Sequence, residues 1–156
     1  MSETVTLPTV GDCRSETVTL PTVGDCRIID LPKIVDPRGN LTFVESKDIP
    51  FPIRRTYWVY DVPGGEKRGG HAYRELEEFV ISLSGAFDFI VDDGSSRQVF
   101  RLDRSYFGLY VPHLLWRSIE NFSTNSVCLI LASQRYREED YLRDYQVFKN
   151  MRRGSQ

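Results

Sequence analysis

From Leu41 to Ala132 the chain is cut into short runs of β-branched and aromatic residues, and this segmentation limits the fold more than any other feature. The runs are Leu41 to Glu45, Thr56 to Asp61, Phe79 to Leu83, Phe87 to Val91, Gln98 to Leu102, Gly108 to Val111, Trp116 to Ile119 and Val127 to Ala132. Gly, Pro, Asp, Asn and Ser punctuate them, with turns read at Pro37-Arg38-Gly39-Asn40, Pro63-Gly64-Gly65 and Asp92-Asp93-Gly94-Ser95. Closely spaced strands with turn signals predict an all-β sandwich or barrel of the jelly-roll kind.

Only the C-terminus reads as helix. Glu138, Glu139 and Asp140 suit a first turn and Lys149, Arg152 and Arg153 a last one, while Tyr141, Tyr145 and Phe148 share a face. That helix is expected to pack outside the barrel. At the other end, SETVTLPTVGDCR occurs twice in tandem, at 2–14 and 15–27, with every residue identical. Residues 1–27 are therefore set apart as a duplicated segment, although Thr17 to Leu20 alternates as a strand would; 28–156 is read as one domain.

Composition narrows the partners. A formal charge of −2 over 156 residues supplies no field to gather nucleic acid or an anionic membrane, so an anionic ligand needs a few placed arginines. No apolar stretch approaches the ~20 residues of a membrane span, and a cytoplasmic address is expected. Cys13, Cys26 and Cys128 form neither a zinc pattern nor a disulfide framework, and Cys128 reads as a buried hydrophobe.

The stretch from Gly65 to Gly85 carries the chemistry. Gly65 is followed by five residues and His71, then one and Tyr73, four and Glu78, six and Gly85. This resembles the first cupin motif, and Pro112, Leu114, Arg117 and Asn121 fall at the positions of the second. A metal cupin places ligands where this chain has His71, Tyr73, Glu78 and Arg117. A guanidinium has no lone pair to donate and stays protonated, so no metal and no other cofactor is expected.

From about Ile28 to Asn150 the chain resembles the dTDP-4-oxo-6-deoxy-D-glucose 3,4-ketoisomerases, metal-free cupins of deoxysugar biosynthesis. The matching pieces include Asp36-Pro37-Arg38-Gly39-Asn40-Leu41, Arg55-Thr56-Tyr57, Arg68-Gly69-Gly70-His71-Ala72, Gly108-Leu109-Tyr110-Val111 and Asp140-Tyr141-Leu142-Arg143-Asp144-Tyr145. The resemblance implies a cupin-type jelly-roll barrel, a dTDP-linked 4-oxo-6-deoxyhexose as substrate, and a homodimer that exchanges strands. One departure stands at the motif, where the family typically has His-Ala-His and this chain has His71-Ala72-Tyr73.

Moving a carbonyl from C4 to C3 through an enediol needs a base for the C3 proton and a group that exchanges protons between the two oxygens. His71 is the expected base, because an imidazole near pKa ~6.5 is partly free at neutral pH; a satisfied core histidine is the competing reading. Tyr73 is the expected relay, against an aromatic wall residue, and needs help because a phenol near pKa ~10 accepts a proton poorly. For substrate binding the candidates are Arg38 and Arg68 on the diphosphate, Tyr57 and Trp116 as stacking rings, and Glu78 and Arg117 in the pocket. Surface arginines, core aromatics and a structural ion pair are their plainer alternatives. A binding cupin with little turnover and a dTDP-sugar epimerase remain rival functions.

Overall fold

The computed structural model describes residues 19–154. The strands are β1 (Arg27–Asp30), β2 (Lys33–Ile34), β3 (Leu41–Thr42), β4 (Arg55–Val59), β5 (Arg68–Tyr73) and β6 (Glu78–Ser84). They continue with β7 (Phe87–Asp92), β8 (Arg97–Leu102), β9 (Phe107–Val111), β10 (Trp116–Glu120), β11 (Val127–Ala132) and β12 (Tyr141–Leu142), and α1 (Tyr145–Gly154) follows. One five-stranded sheet runs β1-β9-β6-β11-β4 and the other β12-β5-β10-β7-β8, with β2 and β3 forming a separate ribbon. From β4 to β11 the chain crosses between sheets at every step except the β7–β8 hairpin, which is the jelly-roll path. The fold class is thus the expected all-β jelly roll with a C-terminal helix, built as two facing sheets.

Strand alternation sorts the side chains. On β7, Phe87, Phe89 and Val91 point between the sheets, where they meet Val80 of β6, Leu102 of β8, Ile119 of β10 and Cys128 of β11. Along β6 the other face is covered as well: Phe79 and Ile81 pack with Leu31, Ile49, Phe51 and Leu131. That double burial explains why Phe79-Val80-Ile81 reads as an unbroken apolar run rather than an alternating one.

The C-terminus departs from the sequence reading. Glu138–Asp140 is a 3₁₀ turn, Tyr141 and Leu142 form β12 against Tyr73 and Ala72 of β5, and the helix begins only at Tyr145. The cause is Asp140, which is buried and accepts the backbone N–H groups of Glu75 and Leu76 at 3.0 and 3.2 Å, capping the β5–β6 loop instead of a helix. Asp144 caps α1 in its place, accepting Val147 N–H at 2.9 Å. Phe148 then seats α1 against Ala72, Leu114 and Leu142. At the N-terminus, Thr17 and Val18 of the proposed strand lie outside the described residues, as does Cys13, and Thr19 and Leu20 are not in a strand. Cys128 is buried as expected.

Candidate active site

The site begins as a register. In the β10–β5 ladder Arg117 stands opposite His71, and on β5 the side chains of His71 and Tyr73 share the inner face. The ladder slips between Arg117 and Ile119, and Gly69 sits beside that slip at φ +72°. Its carbonyl accepts Arg117 Nη1 at 2.9 Å, and a Cβ there would lie 2.1 Å from the same nitrogen. Only glycine meets both demands.

Across the interior, Glu78 opens β6. Its Oε2 accepts Arg117 Nε at 2.9 Å and its Oε1 accepts Nη2 at 2.5 Å, a forked pair with both side chains 2% exposed. Tyr57 of β4 donates to Glu78 Oε1 at 2.9 Å and accepts Arg117 Nη2 at 3.0 Å. The Tyr57 and Tyr73 hydroxyl oxygens are 3.2 Å apart, and Tyr73 donates to Tyr141 of β12 at 3.3 Å. A chain of groups therefore runs from Glu78 through Tyr57 and Tyr73 to Tyr141.

His71 closes the cluster. Its ring centroid lies 4.8 Å from that of Tyr73 and 4.9 Å from that of Tyr141, and those two rings are 4.7 Å apart. Burial, followed by the charges of Arg117 and Arg143, lowers its pKa to about 2, so the imidazole is wholly neutral at physiological pH rather than partly so. Its Nε2 is buried with no hydrogen-bond partner. Burial and then Glu78 push the Tyr57 and Tyr73 phenols well above their ordinary value. Burial opposes the charge on Arg117, but Glu78, Tyr57 and Tyr73 together outweigh it and the guanidinium titrates well above its usual range.

The arrangement does not suit a divalent cation. Both oxygens of the only carboxylate at the four motif positions are held by a guanidinium that stands where a ligand would, leaving a single imidazole as donor. What the cluster offers is a neutral base, hydroxyls able to pass protons, and a rigid ion pair beneath them.

Five of the eight residues singled out from the sequence meet here: His71, Tyr73, Tyr57, Glu78 and Arg117. The other three do not. Trp116 follows strand alternation to the outer face, where its ring lies 5.2 Å from that of Tyr145 and 5.8 Å from that of Phe148 of α1. Arg38 is 90% exposed in the β2–β3 turn, forked onto Asp36. Arg68 is exposed at the start of β5. The sequence places Tyr141 on a helix face and does not single out Arg55, whose guanidinium lies 4.6 Å over the Tyr57 ring with Nη1 buried and unpartnered; the structure brings both to the cluster. Their only signal was that each falls inside a stretch resembling the ketoisomerases.

A jelly roll that holds His71, Tyr73, Glu78 and Arg117 at the motif positions between its two sheets has the architecture of a cupin. The chain belongs to the family described as FdtA, WxcM-like, C-terminal, whose model matches residues 24–153. It is 42% identical over 123 residues to the TDP-4-oxo-6-deoxy-alpha-D-glucose-3,4-oxoisomerase of Aneurinibacillus thermoaerophilus, covering 78% of this chain and 88% of that protein. A 3,4-ketoisomerase from Helicobacter canadensis superposes with a TM-score of 0.80 at 37% identity, covering 83% of this chain and 98% of its own. A mutant of the 3,4-ketoisomerase QdtA from Thermoanaerobacterium thermosaccharolyticum, in complex with TDP-4-keto-6-deoxyglucose, gives 0.81 at 31% identity, with coverages of 83% and 95%. Sugar epimerases of the same fold are at most 19% identical and bear on the fold alone.

Proposed function

We propose that this protein is a cytoplasmic sugar-nucleotide 3,4-ketoisomerase of deoxysugar biosynthesis, acting on a dTDP-linked 4-oxo-6-deoxyhexose without a cofactor. The observation that carries this reading is the buried, neutral, unpartnered Nε2 of His71 beside the Tyr73 phenol, a base and a relay within one ring contact of each other. His71 removes the C3 proton, exchanges it with solvent and delivers a proton to C4, acting as a positioned base. Tyr73 hydrogen-bonds the sugar oxygens as the enediol forms. Glu78, Arg117 and Tyr57 hold Tyr73 in place and set the local charge, a framework role more than the direct substrate contact read from the sequence. Arg68, at the exposed start of β5, is assigned to the diphosphate.

A second copy of the chain completes the particle in this reading. The outer face of the β1-β9-β6-β11-β4 sheet carries a groove of about 510 Å³ lined by Leu31, Phe43, Ile53, Leu83 and Leu129, and Trp58 beside it is 57% exposed. β4 is an edge strand and the β2–β3 ribbon stands apart from both sheets, which suits strand exchange between two subunits. Light scattering should give twice the chain mass; a monomer at micromolar concentration removes the dimer.

The activity is tested by incubating the protein with dTDP-4-oxo-6-deoxyglucose in D₂O and following it by NMR. Carbonyl migration with deuterium at C4 is expected. Deuterium at C3 or C5 with the ketone still at C4 would point to an epimerase instead. Binding of dTDP without any exchange would leave a binding protein. His71→Asn should abolish exchange, and an active variant rejects His71 as the base.

A further inference from the structure

We propose that Tyr141 is a second relay group, and that Tyr73 and Tyr141 together carry the proton from one sugar oxygen to the other. This rests on the ketoisomerase reading and extends it to a residue in the C-terminal strand. The reaction requires an acceptor at O3 and a donor at O4. An imidazole can do both with two nitrogens, whereas a phenol has one oxygen for both tasks. The Tyr73 and Tyr141 oxygens, 3.3 Å apart and joined by a hydrogen bond from Tyr73, separate the two tasks.

The proton count closes. The O3–H proton passes to Tyr73 Oη while the Tyr73 proton passes to Tyr141 Oη and the Tyr141 proton passes to O4. Both phenols begin and end neutral. The C3–H bond breaks toward His71 Nε2 and the C4–H bond forms from it, so C3 is oxidised and C4 reduced within one molecule. A stepwise route would leave a phenolate, which burial and the nearby Glu78 carboxylate oppose at Tyr73.

Four further features place Tyr141 for this work. It pairs directly with Tyr73 in the β12–β5 ladder, so the contact is fixed by backbone hydrogen bonds. Its ring also touches that of His71, at 4.9 Å between centroids. The segment bearing it is anchored on both sides, by the buried Asp140 carboxylate and by Leu142 in the cluster under α1. Arg143 lies over the ring at 4.3 Å, and Arg55 brings a second positive charge to the same cluster.

Tyr141→Phe keeps the ring and removes only the hydroxyl. Carbonyl migration should fall about tenfold to a hundredfold through kcat, within the range a general acid or base supplies, with KM nearly unchanged. Deuterium exchange at C3 should fall less than migration does, because His71 still takes the proton and Tyr73 can still donate to O4, whereas migration needs both phenols. Wild-type migration in Tyr141→Phe would overturn the relay. Equal loss of exchange and migration would overturn it too, marking Tyr141 as structural. Failure of the wild-type protein to move the carbonyl would instead reject the ketoisomerase reading itself. Thermal melting of the variant guards against a folding defect: a melting temperature within a few degrees of wild type is required for a reduced kcat to count as support.

Discussion

The same strands build two unlike halves of one interior. At one end β7, β8, β10 and β11 supply Phe87, Phe89, Leu102, Ile119 and Cys128, all at most 1% exposed and all apolar apart from a thiol. At the other end β5, β6 and β10 supply His71, Tyr73, Glu78 and Arg117, almost as deeply buried and nearly all polar. On β10 the change takes two residues, from Ile119 to Arg117. The apolar end is stabilised by packing and loss of water contact, and each of its members can be exchanged for another of similar shape. The polar end depends on its fully buried ion pair, in which Arg117 meets Glu78. That dependence is the condition for keeping a neutral imidazole and two protonated phenols in a buried site.

The largest effect should come from breaking the ion pair. Glu78→Ala strands the Arg117 charge and is expected to cost about 3–5 kcal/mol, read as a shift in the urea midpoint. Replacing both partners, Glu78→Leu with Arg117→Met, should recover most of that stability while activity stays lost. A double variant as unstable as the single one would show that the unpaired charge is not the cause. Next comes Gly69→Ala, where a left-handed backbone costs roughly 1–2 kcal/mol and the new methyl strikes Arg117. Turnover should fall with stability there; unchanged kinetics would mean that the Arg117 position is immaterial.

The neutral His71 should also appear in the pH dependence. Its folded pKa is depressed to about 2 from an ordinary value of 6.5, so an unfolded chain takes up a proton that the folded one refuses. The stability this contributes is complete above pH 6.5 and is lost as the pH falls from there toward 2. His71→Asn should flatten the urea midpoint between pH 7.5 and 5.0 relative to wild type; parallel profiles would reject the assignment. The smallest change belongs to the apolar end. Ile119→Val should cost about 0.5–1.5 kcal/mol and leave kcat and KM alone, and a change in kinetics would mean the two halves are coupled.

Much of this was open to reading along the chain. Phe87 to Val91 and Val127 to Ala132 are strands as their composition requires, because β-branched and aromatic side chains fit a pleated, half-buried surface. β5 carries the motif but gives no strand signal along the chain. Gly69 and Gly70 remove the usual β signal, and Gly69 is required by the Arg117 guanidinium, a neighbour 48 residues away in the chain. Trp116 lies outside the cluster for a related reason. It adjoins Arg117, yet a two-residue period sends neighbours to opposite faces, and the ring packs on α1.

His71-x-Tyr73, Glu78 and Arg117 are fixed by spacing, and their residue types alone rule out a full set of metal donors. Local sequence also sets the strands and turns, since these depend on side-chain shape and on glycine, proline and asparagine at the corners. What the sequence could not decide is which groups face one another across the gap. Glu78 with Arg117, Tyr57 with Tyr73, and Tyr141 with both Tyr73 and His71 are contacts between strands distant in sequence. Only the pairing register of the two sheets brings them within hydrogen-bond reach, because a slip of one residue would turn each side chain to the opposite face.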